Sequence, residues 1–282
     1  MDKRILSAKE VRSLLPDRDP AGHKGDFGKL LLLCGSRGFT GAAALAARGA
    51  LTAGAGLIYL GVPESIYEIE AVKLDEPVVT PFPGADGGWS EEAVPQVLEA
   101  LGRKDGVLLG CGMGNTPGTR AVVEAVLKNA RCPVVLDADG INCLSGHMDI
   151  VRERNCPLIL TPHEGEFLRL GGELSRGRTQ GAVELAQRLD AVILLKGHRT
   201  LITDGRLRYE NPTGNPGMAT GGSGDLLAGI ITAFLGQGMT PLAAAACGAW
   251  VHGAAGDACA RDRGQYATTP TGMLQYLPRH LK

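Results

Sequence analysis

Gly214-Asn215-Pro216-Gly217-Met218-Ala219-Thr220-Gly221-Gly222-Ser223-Gly224-Asp225-Leu226-Leu227-Ala228-Gly229-Ile230-Ile231 crowds five glycines against a single acid, then turns at once to small and apolar residues. That switch predicts a loop feeding the N-terminus of a buried helix. Glycines let backbone amides turn toward a ligand and approach it closely, and the unpaired amides and dipole of a helix start favour negative charge. The loop is therefore read as an anion site, with a phosphoryl group the best fit. A carboxylate inside such a nest competes with the anion unless it has work to do, and its simplest work is to take a proton from a hydroxyl. Helix capping is the other role open to Asp225. The density of glycine across residues 221–225 favours the base.

The 282 residues are enough for one large α/β domain or two smaller ones and for a sizeable core. Twenty-nine basic residues balance 30 acidic ones, which argues against a nucleic-acid surface built from bulk charge. The 41 glycines predict many tight turns and close backbone approaches. Residues 1–16 carry basic side chains but no uninterrupted apolar stretch, and no segment is long and uncharged enough to span a bilayer. The sequence thus reads as a soluble cytoplasmic protein without membrane or nucleic-acid partners. Seven cysteines form no Cys-x-x-Cys pair and sit in apolar contexts, as small core hydrophobes kept reduced rather than zinc ligands.

Along the chain, Ser7 and Glu10 fit a capping box for a short helix that Pro16 stops. An apolar run begins at Lys29, residues 41–50 form an alanine- and glycine-rich helix, and a second strand covers 57–62. A helix over 64–73, a Pro/Gly-rich connection over 77–88 and a helix over 90–102 follow. The strand at 107–110 ends in Gly110-Cys111-Gly112-Met113-Gly114, a ligand-edge loop that lacks the third glycine of a dinucleotide fingerprint. Asp137-Ala138-Asp139 follows the next strand, where an acid is either functional or, for Asp139, a helix cap. The strand at 157–160 runs into His163, Glu164 and Glu166, and that at 191–195 into Lys196, with a helix over 178–189 between them. Residues 201–206 read as a hairpin with an Asp-Gly turn, adding antiparallel edge strands. A long helix over 241–260 and a last helix from Thr269 to the C-terminus close the chain. No linker or repeat interrupts it, so a single three-layer α/β/α domain over residues 1–282, with a mainly parallel sheet, is expected.

In their order and spacing, residues 23–28, Gly41-Ala42-Ala43, 110–114, 137–139, 160–167, 195–197 and 221–225 resemble the ADP-dependent NAD(P)H-hydrate dehydratases of the ribokinase-like superfamily, over nearly the whole chain. The resemblance implies repair of damaged nicotinamide cofactors: removal of water from the S epimer of hydrated NADH or NADPH at the expense of ADP, with AMP and phosphate released. It implies that Ala42, Gly112, His163 and Asp225 bind the hydrated dinucleotide. It places the adenine nucleotide and its phosphates against Lys196, Gly197, His198, Arg199, Thr200 and Gly224. The amides of Gly222, Ser223 and Gly224 then hold the charge developing on the phosphoryl group, while Asp225 activates the ring hydroxyl. Glu166 stands where the superfamily has the acid that organises Mg²⁺ through water, and His163 occupies the first position of that motif, an asparagine in sugar kinases. Cys111 and Glu164 stand where the family often has proline, and Ser223 where it has threonine. The resemblance also implies a homo-oligomer, a tetramer, and a separate NAD(P)H-hydrate epimerase as functional partner, because the fused epimerase domain of many relatives is not in this sequence.

Two other readings use the same loop. One is an ATP-dependent kinase of a vitamin-type alcohol, against which His163 and the Gly41-Ala42-Ala43 helix start count. The other is a protein that binds a nucleotide without turnover, against which the intact Asp225 counts.

Overall fold

The computed structural model describes residues 3–282. After Lys29 the chain is apolar because both faces of the strand are covered. Leu30 and Leu32 enter one hydrophobic core while Leu31 and Leu33 enter another, as the two-residue period of a strand requires. The strands are β1 (Lys3–Arg4), β2 (Lys29–Leu33), β3 (Leu57–Pro63), β4 (Val78–Phe82), β5 (Gly84–Ala85), β6 (Gly88–Trp89), β7 (Gly106–Leu109), β8 (Val134–Leu136), β9 (Leu158–Leu160), β10 (Val192–Leu195), β11 (Leu201–Thr203) and β12 (Arg208–Glu210). The helices are α1 (Ala8–Leu14), α2 (Thr40–Thr52), α3 (Tyr67–Lys73), α4 (Val94–Leu101), α5 (Pro117–Asn129), α6 (Asp139–Asn142), α7 (Met148–Arg152), α8 (Glu164–Arg169), α9 (Arg178–Leu189), α10 (Ser223–Gly236), α11 (Pro241–Arg263) and α12 (Pro270–Met273).

Among the described residues ten strands form one sheet in the order β1-β12-β11-β10-β9-β8-β7-β2-β3-β4, and β5 pairs only with β6. β11 runs antiparallel to β10 and β12, and every other neighbouring pair of the large sheet is parallel. This is the expected mainly parallel sheet with its antiparallel pairing toward one edge, where β11 alone runs against the other strands. Buried side chains of α2, α10 and α11 share one core, and those of α4, α5, α7, α8 and α9 share the other, which makes three layers. From β2 the chain winds outward through β3 to β4 and then crosses back to β7. The order therefore reverses between β2 and β7, where open α/β sheets leave a crevice at the carboxyl ends of their strands.

Several elements depart from the sequence reading. The connection over 77–88 contains a strand, β4, despite Pro77 and Pro81. β4 pairs only with β3, so it is an edge strand, and an edge tolerates a residue without an amide proton. α5 is additional to the sequence reading, with Thr116 as its cap and Pro117 at its first position. The expected last helix is broken: α12 spans four residues and Leu277–His280 forms a 3-10 turn, since Pro278 cannot continue an α-helical ladder. β1 joins the sheet where only a helix was expected, while the capping box of α1 is present as read. All seven cysteines are unpaired and six are buried. No helix among the described residues is long and apolar enough to cross a membrane.

α2 and α10 lie against each other through small residues. A Cβ on Gly49 would stand 2.6 Å from the Leu226 carbonyl oxygen, and one on Gly229 would overlap that of Ala46. Close-packed interiors absorb an added methyl poorly. Gly229→Ala is expected to lower the unfolding free energy by about 1–3 kcal/mol; an unchanged urea midpoint would show that the helices have room to part.

Candidate active site

The carboxyl ends of five neighbouring strands deliver the site's side chains. β2 leads to Cys34, β7 to the loop of residues 110–114, β8 to Asp137, β9 to Thr161 and His163, and β10 to Lys196. α10 approaches from above, and Gly222 makes the turn into it at φ +89°, where a Cβ would strike Leu45. The first bond of α10 runs from the Leu226 amide to the Gly222 carbonyl at 3.1 Å. The amides of Gly224 and Asp225 precede that bond and have no acceptor within the helix, so they face the site.

Asp225 is the third residue of α10, and its carboxylate, that of Asp137 and the Cys111 thiol lie within 4.8 Å of one another. Burial and then the neighbouring Asp137 charge push the Asp225 pKa up to about 6. Asp137 is 1% exposed and accepts hydrogen bonds from Lys196 Nζ and Thr161 Oγ1, each at 2.7 Å. Burial opposes charge on Lys196, but Asp137 and Glu166 outweigh it and raise its pKa, so the ammonium stays charged. The Cys111 thiol is pushed well up by the Cys34 thiol beside it and by burial, so it is protonated and inert.

His163 and Glu166 form a reciprocal cap on α8. The His163 ring Nδ1 accepts from the amides of Gly165 (3.0 Å) and Glu166 (3.3 Å), while Glu166 Oε2 accepts from the His163 amide at 2.9 Å. An acceptor Nδ1 carries no proton, so the neutral ring bears it on Nε2, 3.4 Å from Glu166 Oε1. Glu166 also lies 3.8 Å from Lys196 Nζ.

A cavity of about 810 Å³ opens beside this cluster. Lys196, Gly197, His198, Arg199 and Thr200 line it with Ser223, Gly224 and His163, so most of the residues read as nucleotide-binding meet in one space. Gly112 and Ala42 stand elsewhere: a Cβ on Gly112 would be 2.8 Å from that of Ala42, and neither lines the cavity. Asp225 lies between, with Cys111 joining it to the Gly112 loop. A second cavity, of about 710 Å³, lies at the opposite ends of β9 and β10, away from these groups.

Sequence reasoning left several residues out. Asp137 is the acid of its motif that enters the cluster, whereas Asp139 does not cap α6, whose cap is Ala138 at φ +47°. Asp139 instead accepts the Gly114 amide at 2.8 Å and pins the glycine loop. Arg178 donates to the Lys196 carbonyl (2.8 Å) and the His198 carbonyl (3.1 Å), fixing the turn after β10 from α9. Asn211, Thr213 and His252 line the cavity from distant stretches, and burial lowers the His252 pKa to about 4. The one signal available beforehand was Asp137's position at the end of a buried strand.

A parallel sheet carrying an amide nest, a fixed lysine and a proton-poised aspartate at its carboxyl edge defines a ribokinase-like protein, and solved structures of that fold cover 98% of the chain at a TM-score of 0.85. Residues 30–279 match the family model described as NAD(P)H-hydrate dehydratase, and the chain belongs to that family. It is 44% identical over 288 aligned positions to a bifunctional NAD(P)H-hydrate repair enzyme of Moorella thermoacetica, covering 100% of this chain and 54% of that protein. Thus the chain spans about half the length of the bifunctional curated relatives it matches. It is 35% identical to the ADP-dependent (S)-NAD(P)H-hydrate dehydratase of Bacillus subtilis, covering 99% of this chain and 98% of that protein. The structure of the Bacillus subtilis ADP/ATP-dependent NAD(P)H-hydrate dehydratase co-crystallised with ATP/Mg²⁺ superposes at a TM-score of 0.85 and 32% identity, covering 98% and 96% of the two chains.

Two outcomes follow. A Cβ on Gly224 would sit 3.4 Å from both Asp137 Oδ2 and Lys196 Nζ, so Gly224→Val, which adds methyls beyond that point, should weaken ADP binding at least about 10-fold by calorimetry. Unchanged affinity would place the phosphates elsewhere. Because the Asp225 pKa is raised above its ordinary 3.8, this group favours the folded state at low pH, and that advantage is lost as pH rises through about 6. Asp225→Asn should therefore melt higher than the parent at pH 7, with the gap closing below pH 6; a gap that does not depend on pH would refute the buried charge.

Proposed function

We propose that the chain, as a single domain over residues 1–282, dehydrates the S epimer of hydrated NADH or NADPH at the expense of ADP. What carries this reading is the place of Asp225, between the nucleotide-sized cavity and the Gly112–Ala42 contact, at the mouth of an amide nest. The adenine nucleotide occupies the cavity along residues 196–200, with its β-phosphate toward Gly224. The damaged ring lies on the Gly112 and Ala42 side, and His163 offers its Nε2 proton from the cavity wall.

Asp225 takes the proton of the ring hydroxyl, whose oxygen attacks the β-phosphorus of ADP, and AMP leaves with the bridging electron pair. The amides of Gly222 and Gly224 and the Lys196 ammonium meet the charge on the phosphoryl group, whereas the Ser223 amide, expected to join them, is taken up by the Thr220 carbonyl at 3.3 Å. The phosphorylated oxygen is then a good leaving group. Its bond to ring carbon breaks with the electrons going to phosphate, the adjacent carbon loses a proton, and the ring double bond returns. Hydrated cofactor and ADP become reduced cofactor, AMP, phosphate and a proton.

Mg²⁺ fits at Glu166 only through water, because the Glu166 oxygens already meet His163 and Lys196. Held there with the nucleotide phosphates, it would neutralise charge on them. The resemblance extends the proposal to a cytoplasmic homo-oligomer, a tetramer, working with an NAD(P)H-hydrate epimerase. Exposed Ile69, Val72 and Val78, on α3 and β4, offer apolar area for such an assembly.

Purified protein with Mg²⁺ and ADP should restore NADH absorbance from acid-hydrated NADH with matching phosphate release. Asp225→Ala should abolish this, and His163→Ala should raise the KM of the hydrated cofactor more than that of ADP. The reverse ranking for His163 would mean that the two binding sites are exchanged. No recovery with ADP or ATP, from protein that binds either, would replace the dehydratase with a kinase of small alcohols.

A further inference from the structure

Asp137 takes no step in the reaction just described, yet it is the most firmly held charge in the site. Its Oδ1 receives Lys196 Nζ and the Thr161 hydroxyl, and its Oδ2 faces the Cys111 thiol at 3.9 Å. The open space over Gly224 ends 3.4 Å from both partners of the Asp137–Lys196 pair, which therefore lies under the first turn of α10. Lysine alone suits this place poorly, since its flexible stem carries about 2 kcal/mol of rotamer entropy and its ammonium can swing onto any phosphate. A buried carboxylate alone is equally unfavourable. Paired, each removes the other's difficulty, and Thr161, itself buried, locks the carboxylate.

We propose that Asp137 is a positioning residue that holds the Lys196 ammonium beneath the first turn of α10, where it meets the phosphoryl group passing from nucleotide to ring hydroxyl. The assignment rests on the dehydratase reading. It gives Asp137 two effects on neighbours and no contact with substrate: it orients Lys196, and its negative charge adds to the burial that keeps Asp225 a proton acceptor near pH 6. The groups facing Asp225 are Asp137 and Asp139 after β8, Cys111 with Cys34 behind it, and Lys196 after β10. Glu166 of α8 acts on Lys196, and His252 of α11 lies beside Ser223.

The two partners push Asp225 in opposite directions, which places both charges at the site, while the split of kcat from KM separates a positioning role from a merely structural one. Carboxyl-carbon NMR of the full chain follows Asp225 without turnover, its signal assigned by loss in Asp225→Asn. The parent should titrate near pH 6. Asp137→Asn, which removes a like charge and leaves Lys196 uncompensated, should move the midpoint down, and Lys196→Gln should move it up. In kinetics Asp137→Asn should lower kcat on the order of 100-fold through misplacement of Lys196, with the KM of the hydrated cofactor held within about 2-fold. Thr161→Val should give a smaller fall. Shifts in the same direction, or none, would overturn the assignment, and so would a kcat unchanged in Asp137→Asn. Should Asp137→Asn not fold, Thr161→Val decides, since it frees the Asp137 carboxylate while keeping both charges: a fall in kcat at unchanged KM upholds the assignment and an unchanged kcat overturns it. Opposite shifts in a protein that never restores NADH would uphold the pairing and overturn the reaction instead.

Discussion

Contact between α2 and α10 through bare backbone is the constraint from which the site follows. Gly49 and Gly229 admit the carbonyls of Leu226 and Ala46 where any side chain would collide, so the two axes run closer than leucine-lined helices could. Both helices begin at the carboxyl edge of the sheet, α2 at Thr40 and α10 at Ser223. Bringing the helices together brings their starts together, and the free amides of α10 come to stand beside the helix that carries Ala42. The alanines at 43, 44, 46, 47 and 50, all buried, serve the same end. What reads in composition as weak core packing is the condition for a crevice shared by two helix termini and the strand reversal between β2 and β7.

Within that crevice, charge is arranged against folding stability. Three acids, Asp137, Glu166 and Asp225, share one ammonium, and the carboxyls of Glu166 and Asp225 are held above their ordinary range chiefly by burial. The surrounding sheet supplies the compensation: Leu109, Leu136, Leu160 and Leu195, each the last residue of its strand, are fully buried just beneath these groups. Strain of this kind is common where a group must be ready to change its protonation.

The fold was legible because its signals are local. Runs such as 29–33 and 192–195 are apolar throughout, as a strand covered on both faces must be, and the box at Ser7 and Glu10 is a contact across three residues. The loop leading into α10 was legible because its glycines and the apolar run that follows stand in one stretch. Asp137 was not, since its importance comes from Lys196, 59 residues away, and from Thr161, 24 residues away. Asp139, next but one, looks the same in sequence and does something else, binding the Gly114 amide. β4 was masked by its prolines, whose tolerance depends on an edge position that only the sheet order reveals. The pairing of β1 with β12 joins residues some 200 apart in the chain and has no local signal.

That last pairing reaches further than its two residues suggest. Lys3 Nζ lies 2.7 Å from Glu210 Oε2, and Glu210 Oε1 lies 3.3 Å from Arg199, in the wall of the cavity of about 810 Å³. Arg199 holds a left-handed backbone at φ +58°, an uncommon posture for a residue with a side chain. The edge strand is thus roped through Glu210 to a residue of that wall by partly exposed ion pairs, a hold that slackens as salt rises.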